Sequence, residues 1–266
     1  MSALNFSKIS HLIVTGASRG IGRALAIEFS RKLPSGSRIS IAARDSERLE
    51  TVKNEILSCN SKVDVVPHAL DLGNCSSKDL RALCNAQNGS SEQGIIIHNV
   101  GTTGDVSKKA KDCNDLSEWE TNFRLNVFNV ALLNNIFMQE FKEKRKFVYN
   151  LSAKAAFVPF ESFGIYCPNK AARHMYFKVL AEEEKRDKNL TILQFYPGPV
   201  DTDMLANMET HSCSPMLRNF FKAGKAKNQI SSPETTAKQF LEICEKGNFK
   251  SGDFMDYHAA KIDVKV

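Results

Sequence analysis

Short apolar runs rich in β-branched residues alternate with amphipathic helical patterns along almost the whole chain, and this alternation constrains the fold most strongly. Strands that alternate with helices pair in parallel, because each helix returns the chain to the same end of the sheet. The predicted strands are HLIVTG (11–16), SRISIAAR (37–44), KVDVVPHAL (62–70), GIIIHNVG (94–101), KFVYNLS (146–152) and LTILQFYPGP (190–199). The predicted helices cover about 21–32, 46–58, 76–87, 117–143, 165–186 and 233–245.

Right-handed crossovers place helices on both faces of such a sheet, so the sequence predicts an α/β fold with a mainly parallel, doubly wound sheet. No repeat, low-complexity tract or linker divides the chain, and we expect one domain over residues 1–266. Only the segment 205–232 breaks the alternation. A long irregular insertion of this kind is often a lid over a binding site, and we expect a substrate lid here. Its four apolar residues with the spacing of one helix face suit core packing or a lid: Met216, Leu217, Phe220 and Phe221.

The composition excludes several other classes of protein. Hydrophobic residues make up 42% of the chain and charged residues 25%, which is typical of a globular rather than a disordered protein. The net charge of +6 comes from scattered lysines and arginines, so we expect no nucleic-acid partner. No apolar run approaches the roughly eighteen residues of a membrane span, and no signal-peptide pattern opens the chain. We therefore expect a cytoplasmic protein without a membrane partner. The seven cysteines lack C-x-x-C spacing and the histidines lack metal-ligand spacing, so we expect free thiols and no metal.

A glycine-rich turn, TGASRGIG (15–22), joins the first predicted strand to the first predicted helix. Gly16 permits a tight turn, Gly20 lets the backbone approach a pyrophosphate, and Gly22 allows close packing of the helix. The free N–H groups of the helix N-terminus attract an anion. Because the turn lies between a strand and a helix, it predicts a Rossmann-type dinucleotide site.

Tyr166 and Lys170 stand four residues apart, which puts both side chains on one face of a helix. Reduction of a carbonyl by hydride transfer leaves an alkoxide that needs a proton. A tyrosine of ordinary pKa, about 10, donates that proton more readily when a nearby cation lowers its pKa. This pair is therefore the predicted catalytic acid and its cation. Pro168 is tolerated only near a helix start, so Tyr166 should lie at or just before the first turn.

These motifs, in this order and spacing, resemble the short-chain dehydrogenase/reductase family. The resemblance extends to Asp71-Leu72, HNVG (98–101), Asn126 and PGPVDT (197–202). It implies that Asn126 positions a water that relays protons to Lys170. It also implies a nicotinamide cofactor held by Gly16, Ala17, Ser18, Arg19, Gly20, Ile21, Gly22, Ala43, Arg44, Asp71, Leu72, Asn99, Gly101, Tyr166, Lys170, Pro197, Val200, Thr202 and Met204.

The charges after the second strand indicate which cofactor is bound. Enzymes that use NAD usually carry an acid there for the ribose 2′-hydroxyl, and by the resemblance that position is Ala43. Arg44 follows it and Arg19 lies in the glycine turn, so two guanidinium groups can meet a 2′-phosphate. We expect NADP(H). The alternative is that Arg44 pairs with Asp45 or Glu47 on the surface.

One position departs from the family pattern. The family serine that binds the substrate carbonyl stands thirteen residues before the tyrosine, where this chain has Ala153. Ser152 is adjacent, but a shift of one residue along a strand turns the side chain to the opposite face. Either the strand end bends to present Ser152 as a catalytic residue, or Tyr166 binds the carbonyl alone.

Within the family, the chain resembles the sepiapterin reductases, notably in SGDFMDY (251–257), GDVSK (104–108), Pro159-Phe160 and the residues around Tyr166. The resemblance implies that Asp256 anchors a pterin, since a carboxylate accepts two parallel N–H bonds from a 2-aminopyrimidinone. Tyr166, Ala153 and Gly198 would complete the substrate site. It also implies a role in tetrahydrobiopterin formation and a homodimer through the helices at 117–143 and 165–186. Two alternatives stay open: a general reductase of small ketones and diketones, and an NADP-binding regulatory module with little catalysis.

Overall fold

A computed structural model describes residues 3–85 and 91–256, which form a seven-stranded parallel sheet with helices on both faces. This confirms the predicted fold class. The strands are β1 (Ser10–Thr15), β2 (Arg38–Ala43), β3 (Asp64–Ala69), β4 (Gln93–His98), β5 (Arg145–Leu151), β6 (Leu190–Tyr196) and β7 (Phe254–Asp256). The helices are α1 (Gly20–Ser30), α2 (Ser46–Cys59), α3 (Ser77–Cys84), α4 (Leu116–Phe123), α5 (Asn129–Glu140), α6 (Tyr166–Glu183), α7 (Asp203–His211), α8 (Pro215–Ala226) and α9 (Pro233–Lys246).

The strand order is β3-β2-β1-β4-β5-β6-β7, so the direction of winding reverses between β1 and β4. Ligands of open parallel sheets bind beyond the carboxyl ends of the strands at such a reversal. The glycine turn follows β1 at this point. Pro67, which cannot donate to a neighbouring strand, lies in the edge strand β3, where that donor is not needed.

Alternating residues along the strands build two separate cores. Leu12 and Val14 of β1 face one core, where α1, α2 and α9 pack. Ile13 faces the other, where α3, α5 and α6 pack. The strands are apolar on both sides because helices cover both faces, which explains their continuous apolar runs.

Three details differ from the sequence-based expectations. The helix predicted over 117–143 is divided into α4 and α5 by a π-helical turn at Arg124–Phe128. The strand β7 was not predicted, because three residues are too few for a periodic pattern. The expectation of an irregular segment at 205–232 was wrong, since α7 and α8 occupy most of it. The predicted helix end at 85–87 includes residues outside the described part.

Candidate active site

The glycine turn is closed too tightly for side chains. Gly16 has a φ of +68°, and a Cβ atom built on Gly22 would lie 2.2 Å from the Gly16 carbonyl oxygen and 2.5 Å from Asn99 Nδ2. Asn99 Nδ2 donates to the carbonyl oxygens of Thr15 at 3.0 Å and Gly16 at 3.1 Å. The turn is thus fastened to the end of β4, which leaves the N-terminus of α1 facing the cleft.

One continuous cleft runs along the carboxyl ends of the strands and is lined by most of the predicted site residues. These are Gly16, Ser18, Arg19, Gly20, Ile21, Ala43, Arg44, Asp71, Leu72, Asn99, Gly101, Ser152, Ala153, Tyr166, Lys170, Pro197, Gly198, Val200, Thr202, Met204 and Asp256. Ala17, Gly22 and Asn126 are not in the cleft lining. Ala17 is buried in the core beside α1, and Gly22 lies inside α1.

The two predicted phosphate-binding arginines differ in their surroundings. Arg44 is exposed at the end of β2 and has no ion pair with a described acid. The alternative partner Asp45 instead accepts the backbone N–H of Arg48 at 3.0 Å and thereby caps α2. Arg19 pairs with Asp203 in the first turn of α7. Arg44 is therefore available to an anionic ligand, whereas Arg19 has to break its ion pair with Asp203 before it can bind one.

Tyr166 and Lys170 lie on the first turns of α6 and are both buried. Lys170 Nζ lies 5.6 Å from the centroid of the Tyr166 ring and donates to the Leu151 carbonyl oxygen at 2.9 Å. Burial lowers the pKa of Lys170 well below its usual value, and burial raises the pKa of the Tyr166 phenol. In the protein alone, burial dominates the pKa of Tyr166, and the positive charge that acts to lower it comes from Arg173 and not from Lys170 as expected.

A second cation, Arg173, completes the base of the site. Its fully buried guanidinium donates to Asn150 Oδ1 at 2.6 Å, to the Val100 carbonyl at 2.8 Å and to the His98 carbonyl. It joins the ends of β4 and β5 to α6, and its positive charge acts to lower the pKa of Tyr166. Arg173 was not among the predicted site residues, although its place three residues after Lys170 puts it on the same helix face, which is a sequence signal for a shared site.

Asn126 lies in the π-helical turn and is buried behind the cleft wall. Its Oδ1 accepts the Thr102 N–H at 3.0 Å and its Nδ2 donates to the Thr102 carbonyl at 3.1 Å. Both ends of the side chain therefore hold the loop that follows β4. Turns of π-helix inside α-helices often mark functional sites, because they displace backbone groups from the regular ladder.

The helices of segment 205–232 pack in one cluster with Tyr166. Leu205 of α7 and Leu217 and Phe221 of α8 are buried in one cluster with Phe163 and Tyr166. On the other side of α8, Met216 is 74% exposed and Phe220 is 58% exposed, so the predicted apolar face is only half buried.

Backbone hydrogen bonds hold segment 205–232 in place. The turn between α7 and α8 is fixed by the N–H of Cys213, which donates to the Val106 carbonyl at 2.8 Å. The segment's far end is fixed where Ser231 N donates to the Pro199 carbonyl at 3.2 Å.

Asp256 ends β7 and lies on the cleft, buried to 8% exposure. It is the register partner of Tyr196, the last residue of β6. Burial and the Asp256 carboxylate raise the pKa of Tyr196 to about 12. Tyr257, the last residue of the terminal motif, lies outside the described residues.

Within the described part of the chain, no group of three His, Cys, Asp or Glu side chains is arranged to hold a metal ion. No described helix has both the length and the apolar character needed to cross a membrane.

The chain belongs to the short-chain dehydrogenase family, whose model matches residues 10–212. This confirms the resemblance based on the motifs. The chain is similar to the sepiapterin reductase of Xenopus tropicalis, with 36% identity over 250 residues that cover 92% of this chain and 95% of that protein. It is also similar to a benzil reductase ((S)-benzoin forming) of Bacillus cereus, with 29% identity over 252 residues covering 91% of this chain and 97% of that protein. Among solved structures, a short-chain dehydrogenase of Escherichia coli CFT073 complexed with NADPH superposes with a TM-score of 0.75. It is 21% identical, and the match covers 95% of this chain and 98% of that one.

Proposed function

We propose that this oxidoreductase uses NADPH to reduce a ketone on the side chain of a pterin, as in tetrahydrobiopterin formation. The observation that carries the proposal is that one cleft is lined by the glycine turn after β1, by Tyr166 and Lys170 of α6 and by Asp256 of β7, the edge strand on the far side of β5 and β6. The similarity to sepiapterin reductases over most of the chain supports the pterin, and the neighbour complexed with NADPH supports the cofactor.

The residues present fit a dinucleotide. Gly16 and Gly20 line the cleft at the N-terminus of α1, and the exposed Arg44 offers a guanidinium without a described acidic partner at the end of β2. Arg44 would bind the 2′-phosphate, the N-terminus of α1 would bind the pyrophosphate, and Lys170 would bind the nicotinamide ribose. Bound NADPH supplies the hydride.

Tyr166 would donate the proton to the carbonyl oxygen as charge develops there. Burial raises the pKa of its phenol, so Tyr166 is protonated at neutral pH, and it becomes a stronger acid where neighbouring positive charge stabilises the phenolate. The buried cations Lys170 and Arg173 would stabilise the phenolate that results, since opposite charges attract strongly where water is excluded. Asn126 would hold the relay water through the irregular backbone of its π-helical turn.

Asp256 would anchor the pterin ring through two parallel N–H bonds, which sets the distance between the ring and the reacting ketone. We expect the Asp256→Asn variant to raise KM for sepiapterin at least tenfold and to leave KM for NADPH unchanged. Because a small diketone has no aminopyrimidinone, its kcat/KM should stay the same in this variant. Equal kinetics with sepiapterin in the variant and the native protein would contradict the anchor.

A second candidate is a general reductase of small ketones or diketones. The similarity to a benzil reductase favours it, and so does the apolar cluster of Phe163, Leu217 and Phe221 around Tyr166. NADPH oxidation with sepiapterin and with benzil, measured side by side, separates the two. A kcat/KM for benzil far above that for sepiapterin would favour the second candidate.

A third candidate, an NADP-binding module with little catalysis, is favoured by Ala153, which has no hydroxyl group for the carbonyl. NADPH binding without turnover of any carbonyl would support this candidate over both reductases.

We also propose a homodimer through α4, α5 and α6. These helices and the π-helical turn before α5 expose large apolar side chains that a partner copy would cover: Leu116, Phe128, Leu132, Met175 and Val179. Burying such a patch removes apolar area from water, which stabilises the association.

A further inference from the structure

The catalytic centre lacks a hydroxyl group at one place where carbonyl reduction needs a hydrogen-bond donor. Ala153 packs in the cluster around Tyr166 and has only a methyl group to offer. Ser152 Oγ is buried and has no hydrogen-bond partner in the described residues. Developing negative charge on a carbonyl oxygen is stabilised most strongly when two donors meet it. Because the Ser152 Oγ atom is buried, a carbonyl group in the cleft does not contact it, and a second donor besides Tyr166 is to be sought among the other hydroxyl groups of the cleft.

Tyr196 lies beside this gap. The β5–β6 ladder pairs Leu151 with Phe195, and Ser152 N donates to the Phe195 carbonyl at 2.8 Å, so Tyr196 follows in register beside Ser152. Across the next ladder, Tyr196 pairs with Asp256. Tyr196 thus stands between the residues at the catalytic end and the proposed anchor of the substrate.

The side chain of Tyr196 is on the side of the sheet that carries Tyr166. Register partners in a parallel sheet point to the same face, and the preceding residues Phe195 and Leu151 belong to the core on the opposite face. Gln194, two residues before Tyr196, donates to the His174 carbonyl of α6. Tyr196 therefore faces α6, and it lines the cleft together with Tyr166.

The hydroxyl of Tyr196 is available to a ligand. It donates no hydrogen bond to any other residue in the described part of the chain. Burial and Asp256 raise its pKa to about 12, so the group carries its proton at neutral pH. Tyr196 also acts to raise the pKa of Tyr166, which places the two phenols within electrostatic reach of each other.

We infer that the Tyr196 hydroxyl is a second hydrogen-bond donor to the reacting carbonyl oxygen, in the role that a hydroxyl at position 153 would otherwise fill. The inference rests on the proposed carbonyl reduction. It assigns Tyr166 the proton transfer and Tyr196 the stabilisation of the developing charge. It explains how a chain with alanine at position 153 reduces a ketone without the family serine.

The test compares Tyr196→Phe with the native protein in NADPH-dependent reduction of sepiapterin and benzil. We expect kcat to fall at least tenfold, because the donor acts as charge develops, while the Kd for NADPH and the melting temperature stay unchanged. Tyr176→Phe is the matched control, since its hydroxyl bonds Asn135 outside the cleft and its loss should leave kcat unchanged. A native kcat in Tyr196→Phe, with Ser152→Ala losing activity instead, would overturn the inference.

A second substitution tests whether the two positions share one role. Ala153→Ser should raise kcat several-fold more in the Tyr196→Phe background than in the native chain, because it replaces a donor that the variant lacks. Equal effects in both backgrounds would show that the positions act independently and would overturn the inference. A native protein that binds NADPH but reduces no carbonyl would overturn the proposed function and this inference together. Turnover by the native protein with no effect of Tyr196→Phe overturns only the inference.

Discussion

Replacing Gly22 by alanine tests whether the glycine turn is built as tightly as the structure shows. The added methyl carbon would lie 2.2 Å from the Gly16 carbonyl oxygen and 2.5 Å from Asn99 Nδ2, far inside van der Waals contact. Backbone has to move to admit it, since the first of these neighbours is a carbonyl group. The move would break the two hydrogen bonds from Asn99 Nδ2 to the Thr15 and Gly16 carbonyls.

The cost of Gly22→Ala can be estimated from these contacts. Overpacking a filled site costs about 1–3 kcal/mol, and two lost hydrogen bonds add about 2 kcal/mol. Alanine in a helix returns about 1 kcal/mol through its better helix propensity. The net loss in free energy of unfolding is about 2–4 kcal/mol. For a chain of this size that lowers the melting temperature by roughly 5–15 °C.

Thermal unfolding followed by circular dichroism, together with NADPH binding by fluorescence, measures both consequences. Gly73→Ala is a matched control at the cleft edge, because its methyl group would approach only side-chain atoms, the nearest being Asp71 Oδ1 at 3.2 Å. We expect the control to bind NADPH like the native protein and Gly22→Ala to bind at least tenfold more weakly. A Gly22→Ala protein with native melting temperature and native Kd would refute the close packing of the turn.

Three further outcomes follow from charge and burial. Arg44→Ala should weaken the binding of NADPH about tenfold and leave the binding of NADH unchanged, since one charge-assisted hydrogen bond to the 2′-phosphate is lost. Equal losses of affinity for both cofactors in titration calorimetry would contradict this. Burial lowers the pKa of His11 and of His98 from 6.5 to about 3, so the unfolded chain binds protons that the folded chain does not. The free energy of unfolding should therefore decrease as pH falls below 6.5, by about 2 kcal/mol per histidine at pH 5. Urea titrations that give the same free energy of unfolding at pH 7.5 and pH 5 would contradict this effect of the two histidines. Met175→Asp places a charge on the exposed apolar face of α6 and should convert a dimer to a monomer in light scattering, whereas a native protein that is already a monomer at micromolar concentration would contradict the dimer.

The sequence was sufficient for the order of strands and helices, because buried parallel strands and amphipathic helices have distinct periods. It was insufficient where tertiary contacts decide the local conformation. The three residues of β7 pair with β6 only because that edge is open to them, and the π-helical turn at Arg124–Phe128 has no recognised period. Segment 205–232 contains the Ser214-Pro215 pair that begins α8, which is a sequence signal for a helix start.

In the candidate site, too, some residues were predictable from sequence motifs and others depend on tertiary contacts. Gly16, Tyr166 and Lys170 were predictable because fixed spacing in a known context carries their roles. Arg173 and Tyr196 were not predicted, since their importance depends on neighbours from β4, β5 and β7 that only the folded chain brings together. The spacing of Arg173 from Lys170 indicates only that the two share a helix face; the three acceptors of its guanidinium, and a Tyr196 hydroxyl with no described acceptor, are apparent only in the fold.

The proposed protonation of a carbonyl by Tyr166 during NADPH-dependent reduction is the central step of the mechanism. Its most direct test is the rate of NADPH oxidation with sepiapterin, measured by absorbance in the native protein and in Tyr166→Phe, with NADPH binding measured in both. We predict turnover by the native protein and a loss of about a hundredfold or more in the variant, which should still bind NADPH. Equal rates in the two proteins, or NADPH binding by the native protein with no turnover of any carbonyl, would contradict the claim.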